Sequence, residues 1–284
     1  MKWTSNRSGN VDDRRGMSGR RVAVGGGIGT LLIAALIYFL GGDPSMVQDL
    51  QIGQSEPQQV ERQLTESELQ IREFISMLTA ENEQTWVRLM ADSGRQYEPA
   101  GVVLFEEATQ SGCGLAQSAM GPFYCPADQN IYMDMSFFNE LQQRFGAKVT
   151  EFTVAYVLAH EMGHHIQNLL GTLSKTEQLR QSGRYSEAQL NQVSVATELQ
   201  ADFYAGVWAR QTDKRAGILE PGDIESAMQA AAAVGDDNIQ KRSQGYVNQE
   251  AFTHGSSKQR IEWFMKGYET GDMKEGDTFS ALLR

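Results

Sequence analysis

Apolar and polar positions recur along the chain with helical and strand periods in distinct stretches. Leu69, Phe74, Ile75 and Leu78 fall at helical spacing behind Thr65-Glu66-Ser67-Glu68, whose Thr and Glu have capping-box spacing, so a helix is expected to open near Thr65. A further helical piece carrying Trp86, Leu89 and Met90 is expected before Gly94. Val102-Val103-Leu104-Phe105 is a compact β-type run, and Ile131-Tyr132-Met133-Asp134-Met135 alternates as a strand does. Helical periodicity then dominates. Phe152, Tyr156, Val157, His160 and His164 mark a helix from Thr150 to Leu170 with Gly171 as its stop, and Ser186 to Arg210 forms a second long helical pattern. Residues 172–190 are polar and read as a connecting segment. Pro221 suits the first turn before Asp223 to Val234, where four consecutive alanines allow close helix packing. The pattern predicts a mainly α (α+β) domain over 65–284 with a small antiparallel sheet.

The amino-terminal region has a different texture. Val22 to Leu40 is a run of nineteen residues without a charge, and about 20 apolar residues span a bilayer core as a helix. One transmembrane helix over 22–40 is therefore expected. Residues 1–21, with six basic against two acidic residues, would form a basic cytoplasmic tail, and the polar stretch 41–64 a linker. The carboxyl-terminal bulk would then lie on the outer, periplasmic side of an inner membrane. A cleaved signal peptide is the competing reading, but the apolar run exceeds a usual signal core and no A-x-A site follows it.

Charge narrows the partners. The 284-residue chain carries a net charge of −11, and with its amino-terminal tail positive, the remainder is more acidic still. That balance argues against a nucleic-acid partner. A hydrophobic content of 40% is enough for a sizeable core. Cys113 and Cys125, the only cysteines, lie in Gly- and Pro-containing sequence and suit a metal or a pair. An extracytoplasmic domain favours the disulfide.

The densest chemistry lies in His160-Glu161-Met162-Gly163-His164, an HExxH string that holds two of the chain's four histidines, with His165 directly after it. Residues four apart share a helix face, so the imidazoles of His160 and His164 can converge on one ion. Zinc accepts neutral imidazole, prefers four ligands, and in catalytic sites leaves one position to water. Glu161, beside the first ligand, is placed to take a proton from that water. Glu198-Leu199-Gln200-Ala201-Asp202 follows 34 positions after His164. There Glu198 is the candidate third ligand, and Asp202, one turn on, can accept the N–H of a zinc-bound imidazole. His165 points to another face and reads as a structural residue or one beside the site.

These strings, together with Cys113 to Phe138 and Phe252 to Gly267, resemble the bacterial neutral zinc metallopeptidases of the YpfJ type over nearly the whole chain, including Asn10-Val11-Asp12-Asp13-Arg14-Arg15. The resemblance implies a gluzincin-like, zincin-type endopeptidase that uses Zn2+, with His160, His164 and Glu198 as ligands and Glu161 as base. It also implies that a strand just before the HExxH helix walls the cleft and pairs with the substrate main chain. Ile131 to Met135 is the candidate for that strand, with Tyr132 as a substrate-binding residue; the competing reading is an internal strand. Thr253-His254 and Arg260 are similar to a Thr-His-Pro…Arg motif of membrane gluzincins, with Gly255 here in place of the proline. On that basis His254 is a donor to the developing oxyanion. Arg260 holds the substrate or pairs with an acidic residue.

The function expected is a membrane-anchored, zinc-dependent metalloendopeptidase acting on a protein or peptide. The rival readings are a zinc hydrolase acting on cell-wall peptides and a non-catalytic interaction protein holding a structural zinc.

Overall fold

The computed structural model describes residues 1–16, 62–146 and 148–283. The transmembrane helix expected over 22–40 and most of the linker expected over 41–64 lie outside the described residues. Among the described residues no helix is long and apolar enough to cross a membrane. Met1–Arg14 and Thr65–Arg284 form one compact unit; Arg15–Leu64 form a second.

The first unit begins with an extended strap that ends in strand β1 (Val11–Asp13). Helix α1 (Glu66–Asp92) follows, opened by a capping box in which Thr65 and Glu68 satisfy each other's backbone N–H groups. It runs unbroken through the two helical pieces expected from the sequence, because Met77, Leu78, Thr85 and Trp86 stay buried along one continuous face. Strand β2 (Gly101–Phe105), the hairpin β3 (Ala108–Ser111) and β4 (Gly114–Gln117), then β5 (Phe123–Cys125) and β6 (Asn130–Asp134) complete the β part. A disulfide between Cys113 and Cys125, with Cα atoms 5.8 Å apart, ties the hairpin turn to the end of β5.

The main sheet has the order β1-β2-β6-β5. β1 and β2 pair parallel, as do β2 and β6, and only β5 and β6 pair antiparallel. The expected antiparallel sheet is thus a mixed one, and the separate β3–β4 hairpin is antiparallel. The chain inserts that hairpin between β2 and β6, so β6 enters from the same end as β2.

Helices complete the unit: α2 (Ser136–Phe145), α3 (Glu151–Leu169), α4 (Thr172–Gln181), α5 (Glu187–Ala216), α6 (Asp223–Ala233), α7 (Asp236–Gln244), α8 (Ser257–Thr270) and α9 (Thr278–Leu282). α3 and α5 start with capping boxes at Thr150 and Ser186. The polar connection after Gly171 is itself largely helical, as α4. α5 extends six residues past Arg210 and stops at Gly217, which adopts the left-handed conformation that favours glycine. It is the hub of the domain. At its crossing with α8, a Cβ on Gly206 would lie 2.0 Å from the Phe264 carbonyl oxygen, and one on Gly267 would lie 2.0 Å from that of Phe203. At its crossing with α3, a Cβ on Gly163 would lie 2.9 Å from the Cα and O of Ala201. Glycine at these points lets the helix backbones meet, and the α3 crossing lies between the two histidines of the HExxH string.

Candidate metal centre

α3 and α5 bring the predicted ligands together. His160 Nε2 lies 3.2 Å from Glu198 Oε2, and His164 Nε2 lies 3.6 Å from Glu198 Oε1. One donor atom from each of the three residues falls within 4.8 Å of the other two. Two imidazole nitrogens and a carboxylate oxygen form the donor set zinc prefers, and among the described residues no fourth His, Cys, Asp or Glu joins them. The residues fit a catalytic rather than a closed structural zinc site.

The other ring nitrogens are held from outside. His160 Nδ1 lies 2.9 Å from Asp202 Oδ1, and His164 Nδ1 lies 2.9 Å from Gln167 Oε1. With Nδ1–H donating to these oxygens, each Nε2 presents its lone pair to the shared point. Gln167 in turn donates to the Thr197 carbonyl at 2.7 Å, linking the ligand-bearing helices again. Gln167 was not among the expected site residues, although its spacing of three from His164 places the two on one helix face.

Asp202 takes the place predicted for it, with a larger set of partners. Arg260 donates to it twice, Nε to Oδ2 at 2.7 Å and Nη2 to Oδ1 at 2.9 Å, and the Tyr156 hydroxyl donates at 2.6 Å. Asp202 and Arg260 are both buried. Burial alone would raise the Asp202 pKa, but Arg260 and His160 hold it well below the ordinary range. Of the two roles considered for Arg260, the acid-paired one is seen: its guanidinium is held by Asp202 at the back of the cleft, and it positions His160 through that carboxylate.

Glu161 is buried beside the ligands and lines the cleft. Among the described residues its carboxylate has no hydrogen-bond or ion-pair partner. Burial raises its pKa; His160 and His164 oppose the rise and Glu198 adds to it.

The cleft in front of the site has a volume of about 540 Å³. Phe123 and Tyr124 of β5, Phe137 and Leu141 of α2, and Val234 and Ile239 contribute its apolar walls. β5 is the sheet's outer strand on this side. Tyr132 does not reach the cleft. β6 is paired on both sides, so it has no free edge. Its Ile131 and Met133 face the main core, while Tyr132 packs on the opposite face with Val103 and Phe105 and donates to Asp128 Oδ2 at 2.7 Å. The substrate-binding assignment of Tyr132 is corrected accordingly: the strand with an edge at the cleft is β5.

His165 is fully buried and joins β5 to α3. Its Nε2 lies 2.6 Å from the Glu98 carbonyl oxygen and its Nδ1 3.1 Å from the Tyr124 hydroxyl. Burial keeps its pKa low, so the neutral ring donates to Glu98 and accepts from Tyr124. Asn168 Nδ2 donates to the same hydroxyl at 3.0 Å. Burial pushes the Tyr124 pKa up to about 12, which keeps that hydroxyl neutral.

His254 lines the same cleft with its side chain about half-exposed. Its partner lies 18 positions away and has no local sequence signal. Asp236, the first residue of α7, accepts through Oδ2 from the backbone N–H groups of Thr253, His254 and Gly255 at 2.7, 2.6 and 2.9 Å. Its Oδ1 lies 3.3 Å from His254 Nδ1. That hydrogen bond raises the His254 pKa, against burial that lowers it. Gly255 has a φ of +95°, a turn conformation that glycine adopts without strain.

Comparison with known proteins agrees with this geometry. The family described as "Putative neutral zinc metallopeptidase" matches residues 1–279. "Uncharacterized protein YpfJ" of Escherichia coli is 40% identical over 294 aligned positions that cover all of both chains. "Uncharacterized protein Mb2605" of Mycobacterium bovis and "Uncharacterized protein Rv2575" of Mycobacterium tuberculosis are each 48% identical over 187 positions, 63% of this chain and 61% of theirs. No solved structure matches. With the match running over nearly its whole length, the chain belongs to the neutral zinc metallopeptidase family.

Proposed function

We propose that the protein is a zinc-dependent metalloendopeptidase that cleaves peptide bonds in an extended protein or peptide segment. The observation that carries this reading is the unpaired Glu161 carboxylate, buried beside three converging metal ligands and facing an open cleft. A carboxylate left without a protein partner beside the ligands has no role in a structural zinc site. In a hydrolytic site it has one, because a base must stand beside the attacking water.

When bound, zinc supplies Lewis-acid activation of the scissile carbonyl and of water. The protein's residues do the rest. Glu161 takes the proton of the attacking water and passes it to the leaving amine; its raised pKa favours the first transfer. His254, kept towards its charged form by Asp236, donates to the carbonyl oxygen as negative charge develops there. Asp202 and Gln167 hold His160 and His164 in the ligating tautomer. The outer edge of β5 offers main-chain groups to an extended substrate, a mode that reads backbone more than side chains.

The test uses the full chain and its Glu161→Gln form. Zinc content and cleavage of an unfolded protein such as casein are measured side by side, with a cell-wall peptide fragment as a second substrate. About one zinc in both forms with cleavage of casein by the wild type alone supports the reading. Cleavage of the cell-wall amide with casein untouched would replace it with the amidase reading. Zinc bound by both forms with neither substrate cut would favour the non-catalytic one.

A further inference from the structure

The sequence placed residues 1–21 and residues 65–284 on opposite faces of a membrane, joined through the uncharged run 22–40. The structure places the first fourteen residues inside the peptidase fold. β1 pairs in register with β2, Val11 opposite Val102 and Asp13 opposite Leu104, and forms one side of the main sheet. Upstream, Ser8 N donates to the Ser76 carbonyl at 3.1 Å, and Ser76 Oγ donates back to the Ser8 carbonyl at 2.8 Å. Trp3 stacks on Phe74 with ring centroids 5.1 Å apart.

One contact shows that this strap is more than a surface decoration. Glu81, in the middle of α1, has a side chain with no exposed area. Its Oε1 accepts from Thr4 Oγ1 at 2.5 Å and from Asn6 Nδ2 at 2.8 Å, while its Oε2 pairs with Arg215 of α5. Without the strap, a buried carboxylate loses two of its three partners and β2 loses its outer neighbour. Buried charge is tolerated only when it is paired and hydrogen-bonded, so the fold of 65–284 is built around the presence of 1–14.

A membrane imposes a second condition. A single crossing by 22–40 would separate Arg14 from Thr65. A return crossing within 41–64 is excluded by composition, since Asp43, Asp49, Glu56, Glu61 and Arg62 leave no stretch of about 20 apolar residues. We propose that residues 1–14 and 65–284 lie on the same side of the membrane. On this topology the run 22–40 is not a single-pass anchor between them.

Single-cysteine accessibility in intact cells tests this with no appeal to catalysis. The wild type, with its own two cysteines, is labelled alongside to set the background in each compartment. Gly9→Cys sits in the strap, where an added Cβ meets nothing within 4 Å, and Lys258→Cys sits on α8, where the side chain is 84% exposed. Each full-length variant is treated with a membrane-impermeant maleimide before and after permeabilisation. The expected result is that both sites behave alike: both labelled in intact cells if the shared side is outside, both protected until permeabilisation if it is inside. Protection of one site with labelling of the other in the same cells would overturn the proposal. A second pair, Ser5→Cys and Glu262→Cys, keeps the test valid if either first variant fails to fold or to label after permeabilisation.

Discussion

Gly163→Ala is the most local way to test how the metal centre is assembled. Gly163 lies between His160 and His164 at the point where α3 meets α5, and a Cβ there would come within 2.9 Å of the Cα and O of Ala201 and 3.2 Å of its Cβ. Two of these three contacts are to backbone, so no side chain can swing away, and the helices must separate by several tenths of an ångström. Overpacking of this kind costs about 1–3 kcal/mol, offset by about 1 kcal/mol from replacing a helical glycine by alanine. Global stability of the metal-free protein should thus fall by no more than about 2 kcal/mol. The effect on the metal should be larger than that small loss suggests, because the ligands on α3 and Glu198 on α5 are carried directly by the helices that move. Metal-site geometry tolerates roughly ±0.2 Å, and if the overpacking is relieved only at the expense of the ligand set, 1–3 kcal/mol becomes a roughly 5–150-fold weaker zinc affinity. Competition against a chromophoric chelator measures the affinity, and thermal melting with chelator or with zinc separates fold from site. Because the conflict is mainly with backbone, adding Ala201→Gly should recover little. Wild-type zinc affinity in Gly163→Ala, or full rescue by Ala201→Gly, would refute the reasoning.

Other perturbations reach neighbouring parts of the network. Asp202→Asn leaves Arg260 buried without its counter-charge and weakens the grip on His160; a stability loss of about 3–5 kcal/mol in chelator and a roughly 10–100-fold loss of zinc affinity are expected, by denaturant melts and metal competition. His254→Ala should lower kcat on a peptide substrate by about 10²–10³-fold with zinc content unchanged, and Asp236→Asn should lower kcat and shift the alkaline limb of its pH profile downward, because the hydrogen bond that raises the His254 pKa is weakened. Glu81 tests the strap by pH: burial would raise its pKa, but Thr4, Asn6 and Arg215 hold it below its ordinary value. Its contribution is therefore full above about pH 4.5 and is lost as pH falls through the lower folded value, so denaturant melts of Glu81→Gln should show less loss of stability on acidification than the wild type.

The parts of the site that were legible in the sequence are those fixed by local geometry. His160, Glu161 and His164, and then Glu198 and Asp202, declare themselves through a four-residue helical spacing that needs no tertiary information. Thr65, Thr150 and Ser186 open their helices for the same local reason. What stayed hidden depends on distant pairings. Arg260 meets Asp202 across 58 positions, so its charge could be read equally well as substrate-holding. Asp236 acts on His254 through a turn 18 positions away. Tyr132 shows the limit of a period-two pattern, which separates two faces of a strand without saying which of them, if either, looks towards the cleft. β1 was invisible for a related reason: Val-Asp-Asp has no alternation of its own, and only its partner β2, some ninety residues away, makes it a strand.

The charges of the centre explain why its parts belong together. Glu161, Glu198 and Asp202 bring three carboxylates to the cleft, and among the described residues Arg260, held by Asp202, is the arginine in contact with them. Two carboxylates therefore remain in a poorly solvated place, a condition a fold tolerates only when something positive answers it. Glu198 is turned towards the two imidazoles, within 3.2 and 3.6 Å of them, whereas Glu161 is turned to the cleft without a partner. A divalent cation held by His160, His164 and Glu198 would balance both carboxylates at once. That division of labour, one carboxylate among the ligands and the other left beside them, is the arrangement the proposed hydrolytic reading calls for.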